Sequence, residues 1–145
     1  MASCTIRKAE STDLLRIKAI LKEAQLGEQG LEDHFSNFFV AELEHEIIGT
    51  IGIELYGKKG LVRSAAVKEK YQRQGIGEHL IDALKHYAKE KNIEELLLLT
   101  TTAADYFQSR GFTRIRSDAV TGNILQSEQF RGACPTSAIT MRMEL

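Results

Sequence analysis

The chain has 145 residues, 43% of them apolar and 27% charged, with a formal net charge of -1 at pH 7. That length carries a core without disulfide staples or a structural metal, and the near-neutral charge leaves no overall basic field for nucleic acid. The two cysteines, Cys4 and Cys134, lie far apart without metal-ligand spacing, which argues against a disulfide framework or zinc site and for a reducing cytoplasm.

The opening segment "MASCTIRKAES" has no apolar h-region, and no apolar run approaches membrane-spanning length. The expectation is a mature, soluble, cytoplasmic chain with no membrane partner. Repeats and low-complexity linkers are absent, so residues 1–145 are read as a single domain.

In chain order, "CTIRKA" alternates like a short strand. "STDLLRIKAILKEAQ" then offers Ser11 or Thr12 as a helix cap, with Leu14, Leu15, Ile17, Ile20 and Leu21 at helical spacing. A run of strands follows: "FFVAEL", a turn near Glu44-His45, "EIIGTIGIELYG", a turn at Lys58-Lys59-Gly60, and "LVRSAAV". "IGEHLIDALKHYAKEKN" repeats Ile76, Leu80, Ile81, Leu84 and Ala88 along one face of an amphipathic helix that ends near Asn92. The four leucines of "EELLLLT" fit a strand buried on both faces, the second half of a parallel crossover. "TAADYFQSR" reads as a short helix stopped by Gly111. A strand from about Phe112, an irregular or helical stretch over Thr121–Phe130, and a last strand "SAITMRME" complete the chain. The fold class is mixed α and β (α+β), with helices packed on a largely antiparallel sheet.

Glycine is unusual where a helix begins, yet Gly75 and Gly77 of "YQRQGIGEHL" sit there. Helix-start N–H groups attract anions, and glycine lacks the Cβ that would keep a phosphate off the backbone. Glycines easing a tight turn would look the same. A P-loop is excluded because no G-x-x-x-x-G-K-[ST] occurs, and Leu80 stands where a dinucleotide fingerprint needs its third glycine.

"QRQGIG", Gln72 to Gly77, fits the Q/R-x-x-G-x-G/A pattern of the Gcn5-related N-acetyltransferase (GNAT) superfamily. The surroundings resemble that superfamily too: "AAV" before the motif, a helix after it, then "LLLLTTTAADYFQSRGF", with "IRKAESTDLLRIKAIL" at the start. The resemblance covers nearly the whole chain and implies a GNAT-like fold and acetyl-coenzyme A (acetyl-CoA) as cofactor. It implies that the backbone amides of Gln72, Arg73, Gln74, Gly75, Ile76, Gly77 and Glu78 bind the pyrophosphate. It also implies that the main chain at Ala66 and Val67 pairs with the pantetheine arm and polarises the thioester carbonyl, where fixed dipoles stabilise growing negative charge. Thr100 to Thr102 match the strand end where acetyl group and acceptor meet, and Thr102 is a cofactor candidate.

The sequence departs from the superfamily where many members carry a tyrosine that protonates the leaving thiolate. That position is Phe107, a candidate for packing on coenzyme or core. Its neighbour Tyr106 is a candidate acid, although adjacent helical residues point about 100° apart and Tyr106 can instead face the core. Water can also serve, because a thiolate leaving group needs little help. Most amine acceptors are protonated at neutral pH, so a base is required. Glu54, near the end of its strand, is the candidate base, and a solvated strand-end carboxylate is the bland alternative. Arg63 sits between apolar residues of a central strand, where an unpaired guanidinium is costly. Either an acid such as Glu54 pairs with it, or it faces the acceptor and binds an anionic group. Strand alternation turns Ser64 away from Arg63 unless a bulge intervenes.

"FRGACPTSAITM", "GLVRSAAV" and "LLTTTAA" are similar to a branch of the superfamily associated with arsenic-resistance gene clusters, which makes Cys134 a candidate cleft residue against a packed small hydrophobe. The four histidines show no i, i+4 pair and no adjoining cysteine cluster, so no metal is expected. The resemblance implies direct transfer of acetyl from acetyl-CoA to a primary amine of a small molecule, and an Arg63 facing the acceptor would make that molecule anionic or amino-acid-like. The alternatives are a CoA-binding sensor without transfer and an enzyme acting on protein amines. Monomer and homodimer both stay open.

Overall fold

A computed structural model describes residues 4–133 and 137–145, in which the strand and helix patterns form a seven-stranded sheet ordered β1-β2-β3-β4-β5-β7-β6 with three α-helices. The strands are β1 (Thr5–Lys8), β2 (Phe38–Leu43), β3 (Glu46–Tyr56), β4 (Lys59–Val67), β5 (Glu95–Thr100), β6 (Thr113–Ile115) and β7 (Ile139–Glu144). The helices are α1 (Leu14–Glu23), α2 (Ile76–Glu90) and α3 (Ala104–Ser109). Cys134 lies outside the described residues. The chain divides into two compact units, one of residues up to Ile53 with Ser64–Tyr87, the other of Glu54–Arg63 with Ala88–Leu145. Strands β3 and β4 and helix α2 each contribute residues to both.

In the first unit β1, β2 and β3 pair antiparallel, with Ile6 opposite Ala41 and Val40 opposite Thr50. The hairpin between β2 and β3 turns on Glu44 and His45, both at positive φ (48° and 68°). That is the backbone a two-residue hairpin loop demands. Helix α1 lays Ile17, Ile20 and Leu21 against Leu31, Phe38, Val40 and Ile47, each buried side chain contributing about 1.5–3 kcal/mol. Leu15, expected on that apolar face, instead points to solvent, because one helix face spans only part of each turn. Neither Ser11 nor Thr12 caps the helix; a short 3₁₀ turn (Ser11–Asp13) precedes it, and the Asp13 carboxylate accepts the Glu10 N–H at 2.7 Å. Asp13 is buried and also takes two hydrogen bonds from Arg7, at 2.8 and 3.1 Å. Opposite Phe38 stands Gly52, where any Cβ would overlap the Phe38 ring. Glycine there admits the aromatic into the core.

In the second unit β4 and β5 pair parallel through Leu61 and Leu97, as the crossover reading requires, and β5, β7 and β6 pair antiparallel. The turn before β4 falls on Gly57-Lys58 and not on Lys58-Lys59-Gly60, since Gly57 supplies the left-handed residue (φ 64°). The Lys58 carbonyl is then free to receive the N–H groups of Glu94 and Glu95, at 2.7 and 3.3 Å. Helix α2 is closed by Asn92 at φ 62°, with Ile93 N–H on the Ala88 carbonyl at 3.0 Å, a left-handed C-terminal cap. Gly111 (φ 104°) ends α3 in the same conformation. Leu61, Leu97, Val120 and Ile124 form a buried cluster bordered by Tyr56, Ile115 and Phe130. The 3₁₀ turns at Ser117–Ala119 and Asn123–Gln126 carry Val120 and Ile124 onto it.

Candidate active site

The glycine-bearing loop leaves β4 at Val67, makes a 3₁₀ turn at Glu69–Tyr71, and enters α2 at Ile76. Its root is tied to β3: the Lys68 N–H reaches the Ile48 carbonyl at 2.8 Å, and the Lys68 ammonium lies 3.0 Å from the Glu46 carboxylate. That ammonium holds the Glu46 carboxyl below its usual range. Gln72 folds back, its amide Nε2 donating to the Val67 carbonyl at 2.9 Å. One side chain thus clasps the loop to the strand end, using a carbonyl that the sequence reading assigns to the cofactor arm.

Residues Gln72, Arg73, Gln74 and Gly75 are exposed, while Ile76 is buried and anchors the first turn of α2. Arg73 and Gly75 both adopt positive φ, 65° and 84°. For arginine that conformation costs about 1–2 kcal/mol, and for glycine nothing comparable. A Cβ at Gly75 would meet no atom within 4 Å, so the glycine has an open face. The Gly75 carbonyl accepts the first helical bond, from His79 N–H at 3.1 Å. The amides of Ile76 and Gly77 precede it, at the helix start where N–H groups point out of the first turn. An open glycine face beside a 15-residue helix start fits the diphosphate of a CoA cofactor by shape and by dipole. Ala66 and Val67, half-buried, lie at the end of the strand feeding this loop.

Ser64 takes φ 56° inside β4. This left-handed residue interrupts the extended backbone, at the end of a run from Gly60 to Ser64 that is buried throughout, Arg63 included. The bulge held open in the sequence reading is present.

Glu54 and Arg63 form one cluster in the second unit. Arg63 Nη1 donates to Glu54 Oε2 at 2.7 Å, and their side chains are only 2% and 1% exposed. The structure realises the pairing alternative for Arg63. The other carboxylate oxygen, Oε1, accepts a short hydrogen bond from the Tyr56 hydroxyl. Burial, and then this bond to a carboxylate, push the Tyr56 phenol well above its usual pKa. The Glu54 and Glu128 charges act in the same direction, and Arg63 opposes them. Sequence reasoning missed Tyr56. Its only signal was the i, i+2 spacing from Glu54, which puts both on one face of β3.

Around α3, Phe107 packs inward as one of its two readings had it, and Tyr106 does not take the core-facing alternative. Tyr106 is 38% exposed and Phe107 8%. Phe107 packs edge-on against Phe112, with ring centroids 5.7 Å apart. Tyr106, which the helical offset allowed to face the core, lies under the Arg110 guanidinium at 5.0 Å. The α3 face that packs is set by Ala104 and Phe107, so Asp105 and Tyr106 between them turn outward. Thr100 Oγ1 accepts the Ala103 N–H at 3.0 Å and sets up the start of α3, and Thr102 is exposed. Among the described residues no three His, Cys, Asp or Glu side chains are grouped to hold a metal ion, and no helix is long and apolar enough to cross a membrane.

Comparison with known proteins agrees with this fold. An uncharacterized N-acetyltransferase of Chlorobaculum tepidum is 28% identical over 126 residues, 81% of this chain and 80% of its own length. The amino-acid acetyltransferase of Actinobacillus pleuropneumoniae is 29% identical over 128 residues, and this chain spans only 29% of that protein. The N-acetylglutamate synthase of Neisseria gonorrhoeae, solved with coenzyme A and N-acetyl-glutamate, superposes with a TM-score of 0.84 at 24% identity, over 100% of this chain and 36% of its own. The acetyltransferase (GNAT) domain pattern matches residues 34–114, a span that holds β2 to β5, the open-faced loop and α3. The chain therefore belongs to the GNAT acetyltransferase family, whose acyl donor is acetyl-CoA.

Proposed function

We propose that this chain transfers the acetyl group of acetyl-CoA directly to the primary amine of a small, amino-acid-like acceptor. The observation carrying the proposal is the open glycine face at Gly75, set where β4 runs through the Gln72 clasp into the start of α2. The amino-acid acetyltransferase relative supports the acceptor class.

In this reading the amides of residues 72–78 hold the diphosphate, with Arg73 adding a cation. The main chain at Ala66 and Val67 orients the acyl arm and stabilises charge that grows on the carbonyl oxygen. The cofactor itself supplies an activated thioester. An ammonium acceptor must lose a proton before its nitrogen attacks, and in this reading Glu54, whose oxygens are buried and engaged, receives that proton through water. Arg63 offsets the cost of keeping the carboxylate buried. As the thioester C–S bond breaks, the thiolate takes a proton from Tyr106, whose ring stands at the exposed face of α3, or from water. Thr102 and Phe107 line the same region of the chain.

Phe107 favours a second reading, a CoA-binding module without transfer, because a phenylalanine packed on Phe112 provides no proton. Thiol release from acetyl-CoA in the presence of the common L-amino acids separates the two. Turnover with any of them establishes the transferase, whereas tight CoA binding with no thiol release across the panel overturns it in favour of the module.

A further inference from the structure

The carboxylate of Glu54 has both oxygens engaged: Oε2 by the Arg63 guanidinium and Oε1 by the Tyr56 hydroxyl. A buried ion pair contributes little net stability compared with apolar residues of similar volume, so stability alone does not account for it. What the arrangement provides is a fixed orientation. A carboxylate gripped by a single donor can pivot about that bond; the second donor, on the other oxygen, removes the pivot.

Tyr56 is well placed for this. It lies two residues from Glu54 on the same face of β3, and its ring is held at the edge of the Leu61, Leu97, Val120 and Ile124 cluster. The phenol therefore approaches from a side that packing determines.

We propose that Tyr56 is a positioning residue for the acceptor half of the reaction, acting through Glu54 to hold the Glu54–Arg63 pair in the geometry that meets an amino-acid-like acceptor. This rests on the transferase reading given above. Tyr56 touches neither acceptor nor cofactor in this role. Its removal changes how the acceptor is met and leaves the handling of acetyl-CoA alone.

The test compares Tyr56→Phe, Glu54→Gln and the double variant. The acceptor used is whichever L-amino acid gives the fastest thiol release with the wild-type protein. Tyr56→Phe, which keeps the ring and removes one hydrogen bond to a charged group, is expected to lower kcat/KM for the acceptor by about 10–100-fold with the KM for acetyl-CoA unchanged. The double variant is expected to be no worse than Glu54→Gln alone, since Tyr56 has nothing to act through once the carboxylate is gone. Multiplicative losses in the double variant, or equal rises in both KM values, overturn the proposal.

A second measurement needs no acceptor. The chain has four tyrosines, and alkaline titration of tyrosine absorbance is expected to show Tyr56 ionising above the usual phenol range, moving earlier in Glu54→Gln. An unchanged titration in Glu54→Gln overturns the Tyr56–Glu54 link whatever the activity. Conversely, a wild-type protein that shows the late phenol and acetylates nothing refutes the transferase reading, and the positioning role with it, while leaving the hydrogen bond established.

Discussion

Replacing Gly75 by valine tests the cofactor loop with two separable effects. The residue sits at φ 84°, and its would-be Cβ meets nothing within 4 Å. The unliganded fold therefore suffers backbone strain alone, without a steric clash. A left-handed L-residue costs about 1–2 kcal/mol, and β-branching places valine at the upper end. For a chain of this length each kcal/mol moves Tm by about 2–4 °C, so the variant melts roughly 4–8 °C lower and still cooperatively. Coenzyme A at 100 times its Kd stabilises the wild type by about 2.7 kcal/mol, roughly 5–11 °C on the same scale. The valine side chain occupies the open face, so this ligand-induced shift disappears. The assay is a thermal-shift titration of both proteins with coenzyme A, acetyl-CoA, NAD and ATP. A variant whose shift with coenzyme A equals the wild type's refutes the assignment of the diphosphate to this loop, and a shift with NAD or ATP of equal size refutes its selectivity.

Three further perturbations follow from the same geometry. Arg63→Ala leaves the buried Glu54 carboxylate without its guanidinium, at a cost of about 3–5 kcal/mol. Provided the variant remains folded by circular dichroism, KM for the acceptor rises far more than KM for acetyl-CoA; equal changes in steady-state kinetics mark Arg63 as structural. Gly52→Ala drives a methyl into the Phe38 ring and lowers stability by about 1–3 kcal/mol, measured by urea denaturation; an unchanged midpoint contradicts the tight packing of β2 on β3. Asp13 is held below the usual carboxyl range chiefly by its hydrogen bonds from Arg7. A depressed folded value means its contribution is present above the unfolded range, about pH 4, and is lost as pH falls through the lower folded value. Asp13→Asn therefore flattens the acid limb of a stability-against-pH curve, and an acid limb identical to the wild type's counts against the Arg7–Asp13 pair.

Much of the architecture was legible because it is local. Periodicity located β2, α2 and β5, the glycine spacing located the start of α2, and Asn92 and Gly111 marked helix ends through the left-handed backbone that they tolerate. Each of these signals lies within a few residues of the feature it specifies. The loop candidates Gln72 to Glu78 belong to this class, since a helix start and its amides are consecutive in the chain.

Other features depend on partners distant in sequence or on backbone conformations that residue type does not announce. Ser64 at positive φ carries no glycine to signal its bulge. Whether Arg63 paired with an acid or faced the acceptor depended on the strand register that brings Glu54 to it. Which of Tyr106 and Phe107 faces the core depended on what α3 packs against, and Phe112 answered that. Tyr56 had no mark in the sequence beyond its spacing from Glu54. Short-range spacing thus specified the elements and the glycine-bearing loop at the start of α2, whereas the Tyr56–Glu54–Arg63 cluster exists only once the sheet has formed, because hydrogen-bond partners across strands are selected by register and burial and not by neighbourhood in the chain.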